Sequence, residues 1–318
     1  MALIYSIWQE DDYFEYLESG FDVLFSFKTW CRRIGEINFE MHMEIKMKRM
    51  VVLMILVFHP LNFAQEFISA AEFANIRCHS DSTEQVYFQW RGYAYAQFPS
   101  QREKLLFEVL GMNVARCLAY EEGYNLVTRE VQFYLDPASS EVVDTWMNPW
   151  SGEDLAVMHT ANSPVQIDIP NRRLIPLDDL GPTKSVGYYI PIINKNPLHD
   201  IGFKDYAPQE WYQASEMFRF TFLPEKPQSV GIIWHRVGQF LPWMKMGEWE
   251  GQLKIVAHGQ RYETFEELDP YLQKLITSRA PGYQHAPKCF RKVKNATSWT
   301  EFKKHYDAYR MKELFPKD

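Results

Sequence analysis

Two charged side chains lie on the apolar faces of neighbouring predicted strands. Alternation in Glu216–Phe222 places Glu216 on the side of three phenylalanines, and Arg236 lies on the apolar side of the strand that opens Ser229–Gly251. A charge buried alone is costly, so each side chain is expected to find the other or a ligand. The pattern fits a structural ion pair that closes the sheet, and it equally fits an anion-binding arginine held by a carboxylate. In a catalytic site Glu216 would act as a base, and Arg236 would stabilise an oxyanion or carboxylate.

A histidine is the third candidate catalytic residue. His159 shares a face with apolar residues in the predicted strand Asp154–Thr160. A neutral imidazole there could act as an acid or a base, oriented by Asn162 or Asp144. A core histidine with satisfied hydrogen bonds is the structural alternative.

Aromatic residues make up 16% of the chain, which favours strands and aromatic-lined cavities. Most of them must be core residues, but a cavity lined by some would suit a flat or apolar ligand. The residues predicted to bind such a ligand are Asn162, Trp146, Tyr188, Trp234 and Trp243.

Several function classes are disfavoured by what the sequence lacks. It contains no GxSxG, HExxH, P-loop or dinucleotide-binding glycine motif. The net charge of −7 gives no basic field for phosphates, so no nucleic-acid partner is predicted. The cysteines Cys31, Cys78, Cys117 and Cys289 lack zinc-site spacing, so we predict neither a metal nor a cofactor. A disulfide from Cys78 to Cys117 or to Cys289 is compatible with a secreted chain.

The elements that must position these residues are mainly strands. From Thr83 onwards the pattern predicts about nine antiparallel strands in series, with Asp168–Thr183 as a loop, and then two helices begun by Thr264 and Thr297. A short helix over Glu66–Ile76 precedes them. A long meander with one apolar face must close or stack to hide its edges. We therefore predict a mainly β fold, an antiparallel meander closing into a calycin-like barrel with C-terminal helices; a sandwich is the alternative.

The N-terminal part has a different character. Residues 1–46 are predicted to be a non-native or disordered extension, residues 47–64 a signal peptide, and residues 65–318 a single β-barrel-like domain. The apolar run within 47–64 is too short to form a stable membrane span. If it acts as a signal, the protein is secreted or enters the secretory lumen; otherwise it is cytoplasmic. The triplet Asn295-Ala-Thr297 is a glycosylation sequon consistent with secretion.

A series of unusual motifs in a fixed order resembles DUF1838, a family of proteins of unknown function. The motifs fall within residues 83–305 and are DP at Asp136, EVVDTWMNPWSGE from Glu141, HTANSPV from His159, SEMF from Ser215, WHRVG from Trp234, LPWM from Leu241 and TSWTxF from Thr297. The resemblance implies that export is common among the relatives, and it implies no settled reaction.

Three functional hypotheses follow from these residues. The first is a barrel that binds a small, largely apolar or aromatic molecule, with cofactor-free isomerase, cyclase or lyase chemistry if it is an enzyme. The second is a secreted, lipocalin-like carrier that uses the same cavity without chemistry. The third is a purely structural domain. The oligomeric state is left open.

Overall fold

Twelve strands and four short helices make up residues 65–311, the part of the chain that the computed structural model describes. The strands are β1 Glu66–Ile68, β2 Val86–Gln97, β3 Lys104–Tyr120, β4 Gly123–Leu135, β5 Thr145–Met147, β6 Asp154–Ala156, β7 Thr160–Pro170, β8 Ile175–Leu180, β9 Thr183–Lys195, β10 Trp211–Leu223, β11 Lys226–Gly238 and β12 Gln252–Tyr262. The helices are α1 Ala70–Arg77, α2 Pro270–Arg279, α3 Ser298–Lys304 and α4 Tyr306–Arg310.

Ten of the strands form one antiparallel sheet in the order β1-β8-β9-β10-β11-β12-β2-β3-β4-β7, while β5 and β6 pair separately. The predicted mainly β, antiparallel architecture is therefore confirmed, and the sheet is curled into a half-barrel. One short connection shows how strongly it curls. β7 ends at Pro170 and β8 begins at Ile175, although the two strands lie near opposite edges of the sheet. A link of that length spans at most about 18 Å, so the two edges must approach each other.

Closure into a complete calycin-like barrel is not confirmed. Within residues 65–311, no ladder joins β1 at one edge to β7 at the other. The edge formed by β1 has only three residues, too few to pair along the eleven residues of β7. The sandwich alternative does not fit a single continuous sheet.

The outer edge of β7 is instead covered by the segment that leads into α3. The Asn295 side chain accepts a hydrogen bond from Gln166 N (2.8 Å) and donates one to Gln166 O (2.9 Å). The Gln166 side chain does the same with the backbone of Arg291. These amide pairs satisfy the backbone of an edge strand that would otherwise be open to pairing with another chain. The sequon asparagine thus has a structural role.

Two glycines allow β12 and β2 to approach closely where the two halves of the sheet meet. A Cβ on Gly92 would lie 2.1 Å from Val256 O, and a Cβ on Gly259 would lie 1.8 Å from Gln89 O. Any other residue would force these backbones apart. The close approach permits a sharp local bend at this seam.

Helices cover both ends of the concave face. α1 packs its Phe73, Ala74 and Ile76 against inward-facing side chains such as Phe88 and Phe220 at one end. At the other end, the turn Phe240–Met246 and α3 form a cluster around Trp243, Trp299 and Phe302. α2 packs on the convex face of β3 and β4.

A helix and a loop are among the local predictions that are wrong in part. The predicted helix over Glu66–Ile76 starts later, because Ser69 caps α1 and residues 66–68 pair with β8. The loop predicted for Asp168–Thr183 contains β8, whose Pro176 is tolerated close to the sheet edge.

The cysteine alternatives are resolved within the described residues. Cys78 and Cys117 form a disulfide that ties the end of α1 to β3, and Cys289 is an exposed free thiol. The predicted N-terminal extension (1–46) and signal peptide (47–64) lie outside those residues. No helix in the described part has the length and apolar character needed to cross a membrane.

We expect Asn295→Ala to lower the free energy of unfolding by about 1–3 kcal/mol, because it removes both hydrogen bonds to Gln166 and leaves part of the β7 edge unpaired. Urea denaturation measures the change. Lys294→Ala, at the exposed neighbouring position, is the control and should stay within about 0.5 kcal/mol of the wild type. Equal stability of both variants would show that the amide pairs contribute nothing.

Candidate functional site

Polar and aromatic side chains line the concave face between the two covered ends. On one wall Glu216 lies directly opposite Arg236, and Phe218 lies opposite Trp234. On the other wall Glu130 lies between Asn113 and Asn162 in the register of β3, β4 and β7. The region enclosed by these walls is called the inner chamber below. Its lining residues are Asn113, Glu130, Asn162, Tyr188, Glu216, Phe218, Trp234 and Arg236.

Small residues lie in the middle of this face. The register continues from Trp234 to Ala257 on β12 and then to Gly92 on β2. Tyr188, Phe218 and Trp234 are only partly buried although they face inwards. Their residual exposure means that these three side chains are not fully shielded from solvent on the concave face.

The structure brings the predicted charged pair together. Arg236 Nε lies 3.4 Å from Glu216 Oε1, and its Nη2 donates to the Tyr212 hydroxyl over 2.9 Å. The guanidinium also lies 5.6 Å above the Trp299 ring of α3. Its Nη1 is buried and has no hydrogen-bond partner among the described residues. One donor of the arginine is therefore unused among the described residues.

Burial raises the pKa of Glu216 above its usual range, and the charge of Arg236 and the Trp234 indole only partly oppose this effect. The Glu216 side chain is nevertheless 21% exposed. Glu216 is thus poorly solvated while still in contact with the solvent of the inner chamber.

Glu130 is the strongest titratable candidate, and the sequence reasoning missed it. Burial and the nearby Glu216 carboxylate raise its pKa to about 7, while Asn162, Arg77 and Asn113 act in the opposite direction. Asn113 Nδ2 lies 3.5 Å from Glu130 Oε1. A carboxyl with such a pKa exchanges protons readily at neutral pH.

The alternation of β4 does place Glu130 on a polar side, together with Thr128 and Gln132. Its other side is apolar, with Val131 and Phe133 in the core beneath α2. A half-buried strand with that pattern suggests that the polar side faces bulk solvent. In this fold both sides are covered, which the pattern of a single strand does not reveal.

Arg77, the last residue of α1, is a second cation that faces inwards. Its Nη1 donates to the Tyr188 hydroxyl over 2.5 Å, and its guanidinium lies 4.7 Å from the centre of the Phe220 ring. Tyr188 continues into the aromatic wall through Phe218, with ring centres 5.2 Å apart. The predicted ligand-binding residues Tyr188 and Trp234 are thus both placed on the inner chamber.

His159 belongs to a different network. Its Nδ1 accepts a hydrogen bond from Tyr134 N (3.1 Å), and its Nε2 lies 3.7 Å from Asp144 Oδ1. Asp144 in turn binds both terminal nitrogens of Arg279 on α2. Burial lowers the pKa of His159, and Asp144 partly offsets this. The structure places His159 beside Asp144, one of the two residues considered for orienting it, and does not group His159 with Glu216 and Arg236.

The other predicted ligand-binding residues are divided between two places. Asn162 joins the inner chamber beside Glu130 rather than orienting His159. Trp146 and Trp243 pack edge to face with ring centres 5.8 Å apart at the covered end, and Trp243 is buried against Tyr134. No three His, Cys, Asp or Glu side chains are arranged to hold a metal ion within residues 65–311.

We expect Glu130→Gln to stabilise the protein increasingly as the pH rises. The folded-state pKa of about 7 lies above the ordinary glutamate value of 4.5, so the stability due to the protonated carboxyl is complete below about pH 4.5 and is lost as the pH rises towards 7. Glutamine removes that loss, so the difference in unfolding free energy should grow by up to about 3 kcal/mol, less where solvent screens the site. Urea denaturation at pH 5 to 8 measures it.

Glu108→Gln is the matched control. Burial raises the pKa of Glu108, but hydrogen bonds from Arg91 and Ser140 outweigh burial and lower it. The stability due to this carboxylate is lost only in acid, so the effect of the substitution should not vary from pH 5 to 8. Parallel profiles for the two variants would contradict the placement of Glu130.

The comparison with known proteins identifies a family but no function. No curated protein matches this chain. The family profile described as "Protein of unknown function (DUF1838)" matches residues 83–306, which include the inner chamber residues. Arg77 and α1 precede the matched region. Since the match covers most of the sequence, the chain belongs to the DUF1838 family.

Proposed function

We propose that the inner chamber binds a small, largely aromatic molecule and transfers a proton within it without a cofactor. The observation that carries this proposal is the arrangement of Glu130, which titrates near neutral pH and faces the Glu216–Arg236 pair inside aromatic walls. Two carboxyls with different surroundings can hold different protonation states, as acid–base catalysis requires.

The chemistry we propose is an isomerisation or elimination next to a carbonyl group. Glu130 removes a proton from carbon, and the electron pair moves onto the carbonyl oxygen. Arg236 Nη1 donates to that oxyanion, and Glu216 holds the guanidinium in place. The proton returns from Glu130 to another carbon, or a leaving group departs. Covered ends limit access of water, which strengthens these interactions.

Glu130 takes the role of base in this proposal, and His159 does not. The His159 ring is held by Tyr134 N and lies beside Asp144, and the charges that shift its pKa are those of Asp144 and Arg279. We propose that His159 positions the Tyr134 segment of β4, whose next inward-facing residues towards the chamber are Gln132 and Glu130.

A carrier without chemistry is the second candidate. Glu216 and Arg236 contact each other, and Glu130 contacts Asn113 and Asn162, so the charged groups have partners before any ligand arrives. A non-catalytic binding protein needs the same arrangement to keep an open interior stable.

We also propose that the protein is exported. The disulfide between Cys78 and Cys117 supports this, because such bonds persist mainly in oxidising compartments. Sequencing the N-terminus of the protein from its own source tests the proposal. A mature chain that starts at Gln65 agrees with a signal peptide over residues 47–64, and one that retains Met1 contradicts it.

Native mass spectrometry of protein from its own source should reveal a bound organic molecule that is lost in Trp234→Ala. After incubation in D₂O, ligand released from the wild type should carry deuterium on carbon, and ligand released from Glu130→Gln should not. Lys294→Ala, an exposed position outside the inner chamber, is the control and should retain both the ligand and the deuterium. A ligand without deuterium would identify a carrier, and the absence of any ligand from native wild-type protein would contradict binding.

A further inference from the structure

Four buried polar atoms of the inner chamber have no hydrogen-bond partner among the described residues. One is Trp234 Nε1, whose indole interacts with the Glu216 carboxyl. The other three are the Nη1 donor of Arg236 and the Oδ1 acceptors of Asn113 and Asn162. Their residues are only 6%, 6% and 9% exposed. Leaving such a group unpaired in the interior is destabilising, so each of them favours a ligand that pairs with it.

These atoms are divided between two opposite walls. Arg236 projects from β11 on the wall that includes β10, and it supplies a donor. Asn113 and Asn162 flank Glu130 across β3, β4 and β7, and they supply acceptors. The side-chain amides of Asn113 and Asn162 donate hydrogen bonds to Glu130, and their amide oxygens accept none from the described residues. A matching ligand therefore accepts a hydrogen bond at one end and donates hydrogen bonds at the other.

The region between the two walls is aromatic. Tyr188 and Phe218 are stacked with ring centres 5.2 Å apart, and Phe218 is stacked on Trp234 at 6.3 Å. Across the face, Trp90 contacts Trp234 at 5.7 Å. Ring faces in this arrangement suit an aromatic ligand more than a flexible aliphatic chain.

We propose that the ligand is a hydroxylated aromatic carbonyl compound, oriented with its carbonyl oxygen at Arg236 and its hydroxyl group at the Asn113–Asn162 wall. This inference rests on the proposed function of the inner chamber and specifies its substrate class. A pure hydrocarbon would leave all three polar atoms unpaired. A phosphate dianion would face the Glu216 carboxylate as well as Arg236, which disfavours it.

Three compounds of matched size test the class: 4-hydroxybenzophenone, benzophenone, which lacks the hydroxyl group, and 4-benzylphenol, which lacks the carbonyl group. Calorimetric titration of the purified full chain should show 4-hydroxybenzophenone binding roughly tenfold more tightly than either analogue, since one hydrogen bond contributes about 1.4 kcal/mol. Asn162→Ala should abolish the preference over benzophenone and keep the preference over 4-benzylphenol. Arg236→Gln should do the reverse, and Lys294→Ala should change neither.

The orientation of the bound compound in the inner chamber is tested by photochemical crosslinking. Near-ultraviolet light makes the benzophenone carbonyl carbon insert into neighbouring C–H bonds, and peptide mapping locates the new bond. The attachment is expected in β10, β11 or α3, next to Arg236. Attachment in β3, β4 or β7 would overturn the proposed orientation.

The outcomes separate this inference from the proposed function. Equal affinity for benzophenone and 4-hydroxybenzophenone would overturn the substrate class while leaving an aromatic binding chamber in place. If none of the three compounds binds and native protein carries no ligand, both the class and the proposed function fail. Binding that Arg236→Gln and Asn162→Ala leave unchanged in folded protein would place the ligand outside the inner chamber and overturn the inference.

Discussion

A buried guanidinium is the constraint on which the arrangement of the interior depends. Arg236 is 6% exposed, and an unpaired charge there would be strongly destabilising. Its three partners come from two elements: Glu216 and Tyr212 lie on β10, and Trp299 lies on α3. These contacts link β10 and β11 to α3 at one end of the sheet. They leave Arg236 Nη1 without a hydrogen-bond partner among the described residues.

The interior also contains two carboxyls, those of Glu216 and Glu130, whose surroundings differ. Glu216 has a guanidinium beside it, whereas the closest partners of Glu130 are amides, which oppose its burial less strongly than a direct ion pair would. The negative charge of Glu216 further disfavours ionisation of Glu130. The same curvature that covers both sides of β4 thus raises the pKa of Glu130 to about 7.

The sequence predicted those parts that depend on local pattern. Alternation in β10 and β11 was sufficient to place Glu216 and Arg236 on the same face, and a short connection was sufficient to make the strands neighbours. Glu130 was not predictable in this way, because its exposure depends on whether distant elements cover the polar side of β4. The pairing of Asn162 with Glu130, rather than with His159, likewise depends on the register between β4 and β7. The edge cover by Asn295 joins residues more than a hundred positions apart, which no local pattern encodes.

The most direct test of the account is the titration of the Glu130 carboxyl itself. Carbon-13 labelling of glutamate side chains, with the signal assigned by its loss in Glu130→Gln, would give the pKa in the folded protein. The Glu130 carboxyl is expected to titrate with a midpoint near pH 7. The midpoint should move downwards in Glu216→Gln, because this substitution removes the neighbouring negative charge. A midpoint near 4.5 that is insensitive to Glu216→Gln would mean that Glu130 is solvated and distant from Glu216, which would contradict the proposed chamber.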